Sequence, residues 1–101
     1  MILEVAEIHI VPGKQAEFEA AVERGIASVF RRDSGARRIV LQRGLEDPAR
    51  YLLLIEWDRL EDHTVGFRQS PLFGEWRALV GPFFAEAPRA QHFEQAVVSE
   101  G

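Results

Sequence analysis

The sequence predicts an α+β protein in which a four-stranded antiparallel sheet carries helices on one face. Three observations support this: the order of the predicted elements, the apolar character of both strand faces, and a length of 101 residues. The elements run strand, helix, strand, strand, helices, strand, the order of two right-handed strand-helix-strand units. Folded on each other, these units give a ferredoxin-like sheet. We expect a single domain over residues 1–98 and a flexible tail at 99–101.

Three of the four strands and the first helix are predicted from the pattern of hydrophobic residues. Residues 2–11 alternate across two faces and stop at Pro12, as a strand does before a turn. Over residues 15–32 apolar side chains recur every three or four positions, which is typical of an amphipathic helix. Residues 37–43 are rich in branched side chains and residues 89–98 alternate, so both are predicted strands.

The third strand, residues 51–57 (YLLLIEW), is the centre of the predicted fold. Asp58, followed three residues later by Glu61, has the spacing of a capping box and predicts that a short helix starts there. Ser70 and Pro71 predict the start of a second helix, since serine suits the cap and proline is tolerated at the first helical position.

Both faces of this third strand are apolar. Leu52 and Leu54 point to one side, while the opposite parity is Tyr51, Leu53, Ile55 and Trp57. A strand with one wet face should alternate, so each face needs a cover. Because 101 residues supply helices for only one face, the sequence predicts a homodimer that forms through the sheet faces.

Composition excludes several classes of function. The formal charge is −4 with acidic and basic residues interspersed, which does not favour nucleic-acid binding. The chain has no cysteine, so disulfides, thiolate chemistry and cysteine-ligated metals are excluded. No apolar run approaches the ~18 residues of a membrane span, and the start of the chain lacks the features of a secretory signal. We therefore expect a cytoplasmic protein with no membrane partner.

Several short motifs suggest a family. They are the Pro12-Gly13 turn, Glu46-Asp47-Pro48 in the hairpin loop, Glu56-Trp57-Asp58, Glu61-Asp62-His63, and Phe67-Arg68-Gln69-Ser70-Pro71. With the element order, they resemble the antibiotic biosynthesis monooxygenase family of dimeric α/β barrels over nearly the whole chain. The resemblance is specific for fold and less so for chemistry, because that superfamily also includes heme-degrading enzymes and small-sugar isomerases.

The resemblance implies a pocket between the sheet and the two helices after the third strand. Quinone-forming members oxidise a bound phenol with molecular oxygen, and the substrate anion itself activates the oxygen without flavin or metal. It therefore implies no cofactor. Those members place an asparagine and a tryptophan four residues apart, at positions that match His63 and Phe67. Heme-degrading members have a proximal histidine where this chain has Arg77, so heme degradation is not expected.

His63 and Arg77 are the candidate catalytic residues. His63 lies one turn before Phe67 on the same helix face and could take a phenolic proton. The alternative is a local hydrogen bond in the first helical turn. Arg77 lies four residues after Phe73, where its guanidinium could hold a phenolate, although it could also be a solvated or dimer-contact residue.

The remaining candidates would bind the substrate. The aromatic walls are predicted from Trp57, Phe67, Phe73 and Trp76, with ordinary core packing as the alternative. Glu56 is a carboxylate on an apolar strand face that Arg38 could instead neutralise. His9 faces either the pocket or the partner subunit, and His92 has the same ambiguity. The three histidines lack metal-ligand spacing, so no metal site is predicted.

These residues support three functional hypotheses. The first is a monooxygenase acting on a small aromatic or quinone-related compound without a cofactor. The second is an isomerase that uses the same pocket for an enolisation. The third is a non-catalytic ligand-binding or stress-related dimer.

Overall fold

The computed structural model describes residues 1–33 and 35–101. Its regular elements are β1 Ile2–His9, α1 Gln15–Ser28, β2 Ala36–Arg43, β3 Arg50–Trp57, α2 Pro71–Val80 and β4 Arg89–Glu94. Short helical segments join them: Phe30–Arg32 and Gly81–Phe83 are 3-10 turns, and Asp62–Phe67 is π-helical. This succession confirms the predicted order of elements. None of the helices in the described part of the chain has the length and apolar character that a membrane crossing requires.

The four strands form one antiparallel sheet in the order β2-β3-β1-β4. β1 pairs with β3 along its whole length, from Ile2 opposite Trp57 to His9 opposite Arg50. β4 pairs with the other edge of β1, and β2 with the other edge of β3. The first and third strands are therefore central, as in the ferredoxin-like topology, and the predicted fold class is confirmed.

One sheet face and the helices enclose the hydrophobic core. The buried core side chains of the two central strands are Ala6, Ile8, Tyr51, Leu53, Ile55 and Trp57. The helices cover them with Phe18 and Val22 of α1 and with Trp76 and Val80 of α2. Both parities of β3 are apolar, as the sequence indicates, but the helices bury only one of them.

None of the helices in residues 1–33 and 35–101 packs on the opposite sheet face, called the open face below. Its central row runs across three strands, because Leu54 of β3 is the register partner of both Val5 of β1 and Val40 of β2. These three side chains are only partly buried in the single chain. Apolar residues thus occupy the middle of a face that none of the described elements covers.

The first helix is shorter than predicted. It was expected over residues 15–32 but ends at Ser28, and Phe30–Arg32 winds more tightly as a 3-10 turn. The change occurs at Val29, whose backbone (φ −106°, ψ −62°) departs from α geometry. The apolar periodicity continues through the turn because Phe30 is still buried in the core.

The first and last strands also end early. β1 stops at His9 because the next two amides bond outside the sheet ladder, Ile10 to the carbonyl of Ala49 and Val11 to that of Phe83, each at 2.9 Å. β4 ends at Glu94, which leaves the remainder of the predicted strand over residues 89–98 unpaired.

The predicted capping box at Asp58 and Glu61 is wrong. Asp58 instead accepts hydrogen bonds from the Arg37 guanidinium on β2, with Nε 2.9 Å from each carboxylate oxygen. In this bidentate pair both partners are charged, whereas a cap would pair the carboxylate with neutral backbone amides, which explains the preference. The Asp62 carboxylate serves the turn, since its Oδ2 accepts a hydrogen bond from the Arg59 amide at 3.1 Å.

The start of the second helix is as predicted. The Ser70 hydroxyl accepts a hydrogen bond from the Leu72 amide at 3.2 Å, and Pro71 occupies the first helical position. This cap fixes the direction in which α2 leaves the π-helical segment, and α2 then forms one wall of the cavity described next.

Candidate functional site

A cavity of about 90 Å³ lies between the helix-covered sheet face and the segment that runs from the π helix into α2. Its aromatic lining is Phe30, Phe67, Phe73, Trp76 and Phe84. These rings also pack on one another, with Phe30 stacked on Phe67 at 4.9 Å between centroids and edge-on to Trp76 at the same distance. Against this apolar wall the cavity sets a few polar groups, the usual composition of a small-molecule site.

The π-helical segment turns two side chains into this cavity. The Arg68 amide donates to the carbonyl of His63 at 3.0 Å, a bond that spans five residues instead of four. His63 and Phe67 are both buried and both line the cavity. Single π turns inside helices occur frequently at functional sites.

Glu4 lies at the end of the cavity beside Trp57 and His63. The indole Nε1 of Trp57 donates a hydrogen bond to Glu4 Oε1 at 3.0 Å. His63 Nε2 is 3.5 Å from the same oxygen, slightly too far for a hydrogen bond. The imidazole also stacks on the indole, with centroids 5.0 Å apart and planes 20° from parallel. Glu4 and His63 are 6% and 5% exposed, so this is an acid–base pair removed from bulk water.

The other ring nitrogen of His63 contacts the last strand. His63 Nδ1 is 2.7 Å from Nε2 of His92, close enough that a proton carried by one ring is donated to the other. His92 is only half-buried, because β4 is an edge strand. The structure thus resolves the orientation of His92, which lies on the cavity side of the sheet opposite Glu4.

Burial shifts the protonation of both members of the pair. Desolvation raises the pKa of Glu4, against the opposing effects of the Trp57 hydrogen bond and the positive charge of Arg68. Desolvation also lowers the pKa of His63 to about 4, with further lowering from His92 and Arg68. Each shift favours the neutral form, and His63 is therefore a neutral imidazole at physiological pH.

Two exposed arginines flank the lining at Phe73. The guanidinium carbons of Arg68 and Arg77 each lie 5.8 Å from the centroid of its ring. Arg77 is equally distant from the ring of Phe84, so its charged group is held between two aromatic faces. Positive charge beside an apolar cavity favours an anionic ligand.

The structure brings most of the predicted site residues together. His63, Phe67, Phe73, Trp76 and Arg77 all line the cavity. Trp57 is fully buried behind His63 and contributes through its stacking and its hydrogen bond to Glu4.

The structure separates His9 and Glu56, two candidate substrate-binding residues, from this cavity, and each takes the alternative that the sequence also allowed. Both belong to the parity of the open face, where His9 is opposite Arg50 and Glu56 is opposite Leu3. His9 Nε2 lies 3.8–3.9 Å from carboxylate oxygens of Glu86 and Glu7. Glu56 lies 3.8 Å from a guanidinium nitrogen of Arg38, the pairing expected as its alternative.

Sequence reasoning missed Glu4 and Arg68. The signal for Glu4 was present, because it is the single carboxylate among apolar residues on its face of β1. The same kind of oddity had singled out Glu56, but alternation alone does not reveal which face is inside. Arg68 follows Phe67 directly, and nothing in the helical spacing places it near Glu4.

A larger open groove of about 540 Å³ lies between α1 and the β2–β3 loop. Its polar groups already satisfy one another, since the Tyr51 hydroxyl donates to Glu19 Oε2 at 2.6 Å and Arg43 Nε donates to the same oxygen at 2.9 Å. Burial and Glu19 raise the pKa of Tyr51 to about 12. The reactive acid–base groups are therefore in the smaller cavity, which is the candidate site.

The fold and the cavity define a small α+β domain with a largely aromatic cavity beneath its helices. The chain belongs to the antibiotic biosynthesis monooxygenase family, whose model matches residues 1–79. This finding confirms the resemblance suggested by the sequence motifs.

Three relatives illustrate the similarity. The chain is 40% identical over 94 residues to the uncharacterized protein YczJ of Bacillus subtilis, covering 93% of this chain and 98% of that one. A candidate antibiotic biosynthesis monooxygenase from Bordetella bronchiseptica superposes with a TM-score of 0.90 at 41% identity, and the match covers 95% of this chain and 97% of that one. SnoaB, a cofactor-independent oxygenase from Streptomyces nogalater, superposes with a TM-score of 0.82, and the match covers 99% of this chain and 97% of that one. At 19% identity this similarity shows the fold alone.

Proposed function

We propose that this protein is a cofactor-independent monooxygenase that acts on a small, electron-rich phenol or hydroquinone. The observation that carries the proposal is the Glu4–His63 pair at the end of an aromatic cavity. Such a pair can accept the proton of a bound phenol, and the resulting anion is the species that reacts with oxygen. Membership of the monooxygenase family supports the reaction class.

The reaction balances without an external reductant. Loss of the hydroxyl proton makes the ring electron-rich; a ring carbon then adds oxygen, and the resulting peroxide anion takes up one proton to give a hydroperoxide. Elimination of water from that carbon leaves a carbonyl. One oxygen atom enters the product, the other leaves as water, and the substrate supplies all four electrons. The protein has only to form and hold the anion.

His63 cannot form this anion alone. A phenol has a pKa of about 10, so transfer to an imidazole of pKa about 4 is uphill by about 8 kcal/mol. The Glu4 carboxylate, whose pKa is raised by burial, is a better acceptor. Arg77, fixed between two rings at the cavity lining, would stabilise the phenolate by its positive charge.

The size of the cavity bounds the ligand. An apolar cavity of roughly 150 Å³ accommodates benzene, whereas this one has about 90 Å³. Even a single ring therefore requires the wall to open slightly, and a three-ring compound requires much more. Phe84 and Pro88 lie in the connection between α2 and β4, outside the helices and the four strands, and would move first. We propose a single-ring substrate.

The test is oxygen uptake with methyl- and methoxy-substituted phenols and hydroquinones under isotopically labelled oxygen. A monooxygenase gives product with one labelled atom, whereas uncatalysed autoxidation gives hydrogen peroxide and no label in the product. Replacing the acid–base pair in Glu4→Gln or His63→Gln should lower kcat/KM by about 10²–10⁴. Glu17→Gln, the same change on the exposed surface of α1, is the matched control. No labelled product from any phenol would refute the proposal.

An isomerase is the second candidate, favoured by one observation. A buried carboxyl with a raised pKa is also suited to removing a proton next to a carbonyl group. Exchange of that proton for deuterium, without oxygen uptake, would favour the isomerase. Binding with neither reaction would favour the third hypothesis, a non-catalytic ligand-binding dimer.

We also propose that the protein is a homodimer joined through the open face. The central row of Val5, Val40 and Leu54 supports this, because apolar side chains in the middle of an uncovered sheet are typical of an interface. Ion pairs surround the row, including Arg50 with Glu7 at 2.6 Å, as at the polar rim of an interface. We also propose a cytoplasmic location, as the sequence predicts.

A further inference from the structure

Three ionisable side chains form a line from the cavity towards the protein surface. Glu4 Oε1 is 3.5 Å from His63 Nε2, and His63 Nδ1 is 2.7 Å from His92 Nε2. They come from β1, the π-helical segment and β4, so no local sequence motif links them. Glu4 and His63 are buried, whereas His92 is half-buried on the edge strand.

We propose that Glu4, His63 and His92 form a proton relay in which Glu4 takes the proton of the bound phenol and His92 delivers a proton to solvent. This inference rests on the proposed ligand class, a small phenol, but not on the oxygen step. It gives a role to Glu4 and to His92, to which the family resemblance assigns none. Glu4 would touch the ligand, while His63 and His92 would act through it.

The relay moves one proton without creating a charged imidazole. At the start Glu4 is protonated, and both histidines carry their hydrogen on Nδ1. Glu4 passes its proton to His63 Nε2, the His63 Nδ1 hydrogen passes to His92 Nε2, and the His92 Nδ1 hydrogen leaves to water. Glu4 ends as a carboxylate, both rings end neutral with their hydrogen on Nε2, and solvent gains one proton.

The surroundings of His63 favour this route over protonation of the ring. The charged or titratable groups that face it are Glu4 from β1, His92 from β4 and Arg68 from its own segment, while Trp57 faces it from β3. Burial, together with His92 and the positive charge of Arg68, lowers its pKa to about 4, which opposes an imidazolium. The 3.5 Å separation from Glu4 requires a shift of about half an ångström before transfer, a tightening commonly seen on ligand binding.

A ligand-free experiment tests the relay directly. In protein labelled with nitrogen-15 in its histidines, ring shifts report which nitrogen carries hydrogen, while carbon-13 shifts follow ionisation of Glu4. We expect His63 to change from the Nδ1-H to the Nε2-H tautomer as Glu4 loses its proton. In Glu4→Gln the tautomer should be constant over the same range, and in Glu17→Gln it should change as in the wild type. A His63 tautomer that ignores the ionisation of Glu4 would overturn the relay.

A kinetic experiment tests the outlet. The probe is 4-nitrophenol, whose anion is visible in absorbance, mixed with protein without oxygen and with a pH indicator. His92→Ala should slow proton release at least tenfold while leaving the affinity of 4-nitrophenol within about twofold, and added imidazole should restore the rate. A rate unaffected by the substitution, or a loss that imidazole does not rescue, would contradict an outlet at His92. Failure of 4-nitrophenol to bind would count against the proposed ligand class, and the tautomer experiment would then decide the relay.

Discussion

The indole of Trp57 and the carboxyl of Glu4 are joined by a 3.0 Å hydrogen bond between the two central strands, with both side chains buried. Burying a carboxyl group without a partner costs several kcal/mol in practice. This bond is therefore the condition under which an acid can occupy a core position on β1. The same indole stacks on His63, so Trp57 contacts both members of the acid–base pair.

The first prediction concerns this hydrogen bond. Trp57→Phe keeps an aromatic ring in the core but leaves Glu4 without its donor. We expect a loss of unfolding free energy that exceeds that of Trp76→Phe by about 1–3 kcal/mol, the cost of a buried polar group that loses its partner. Urea unfolding of both variants measures the difference. Trp76 is the matched control, being also buried but making no described hydrogen bond through its indole. Equal losses would mean that the hydrogen bond contributes no unfolding free energy beyond that of the packed ring.

The second prediction concerns the pH dependence of stability. The folded pKa of Glu4 lies above its unfolded value of 4.5, so its contribution is fully present below 4.5 and is lost as pH rises through the folded value. The folded pKa of His63, about 4, lies below its unfolded value of 6.5. The unfolded chain then binds more protons between these values, and stability rises with pH by up to about 3 kcal/mol. The two residues act in opposite directions.

Single variants should separate these opposed effects. His63→Gln removes the rise, so its stability should decrease as pH increases above 4.5 relative to the wild type. Glu4→Gln removes the decrease, so its stability should rise more steeply than that of the wild type up to pH 6.5. Unfolding free energies across this range check both, with Glu17→Gln expected to follow the wild type. Slopes that change in the same direction for both variants would contradict the pKa assignments.

Most of the fold was predictable from the sequence because it follows from periodicity. The strand alternation, the amphipathic first helix and the Ser70 cap depend on neighbours within a few residues. The local spacing also predicts a cap at Asp58, but it does not form, because this carboxylate pairs with Arg37 on an adjacent strand, 21 residues away in sequence. The capping spacing is present in the sequence, but the long-range charge pair is the stronger interaction and takes the carboxylate.

The site was predictable only in part, for a similar reason. His63 shares a helix face with Phe67, and Arg77 shares one with Phe73, so helical spacing reveals them. Glu4 and His92 join His63 from strands 59 and 29 residues distant, through a register that the sequence does not state. Alternation divides a strand into two faces but leaves open which face is inside, and that is why the sequence alone could not exclude His9 and Glu56 from the cavity.

The third prediction concerns the packing of α1 on α2. A Cβ added at Gly25 would lie 2.5 Å and 2.6 Å from ring carbons of Trp76, closer than real contacts allow. Gly25→Ala should therefore destabilise the protein by about 1–3 kcal/mol, although alanine is the better helix former. Gly74→Ala, on α2 with nothing within 4 Å of the added Cβ, should stabilise by about 0.5–1 kcal/mol. Thermal unfolding compares them, and stabilisation by both would show that the helices are not in close contact.

The last prediction concerns the open face. Leu54 is the middle residue of its central apolar row, with Val5 and Val40 as its partners. Leu54→Arg puts a charge where the proposed dimer buries apolar area, and a buried charge without a partner is costly enough to prevent association. Sedimentation velocity should show two associated chains for the wild type and one for the variant. Leu45→Arg introduces the same charge at a site that is 93% exposed in the hairpin loop, and it should leave the dimer intact. A wild-type protein that sediments as a monomer would refute the proposed interface, and a variant that stays dimeric would place the contact on another surface.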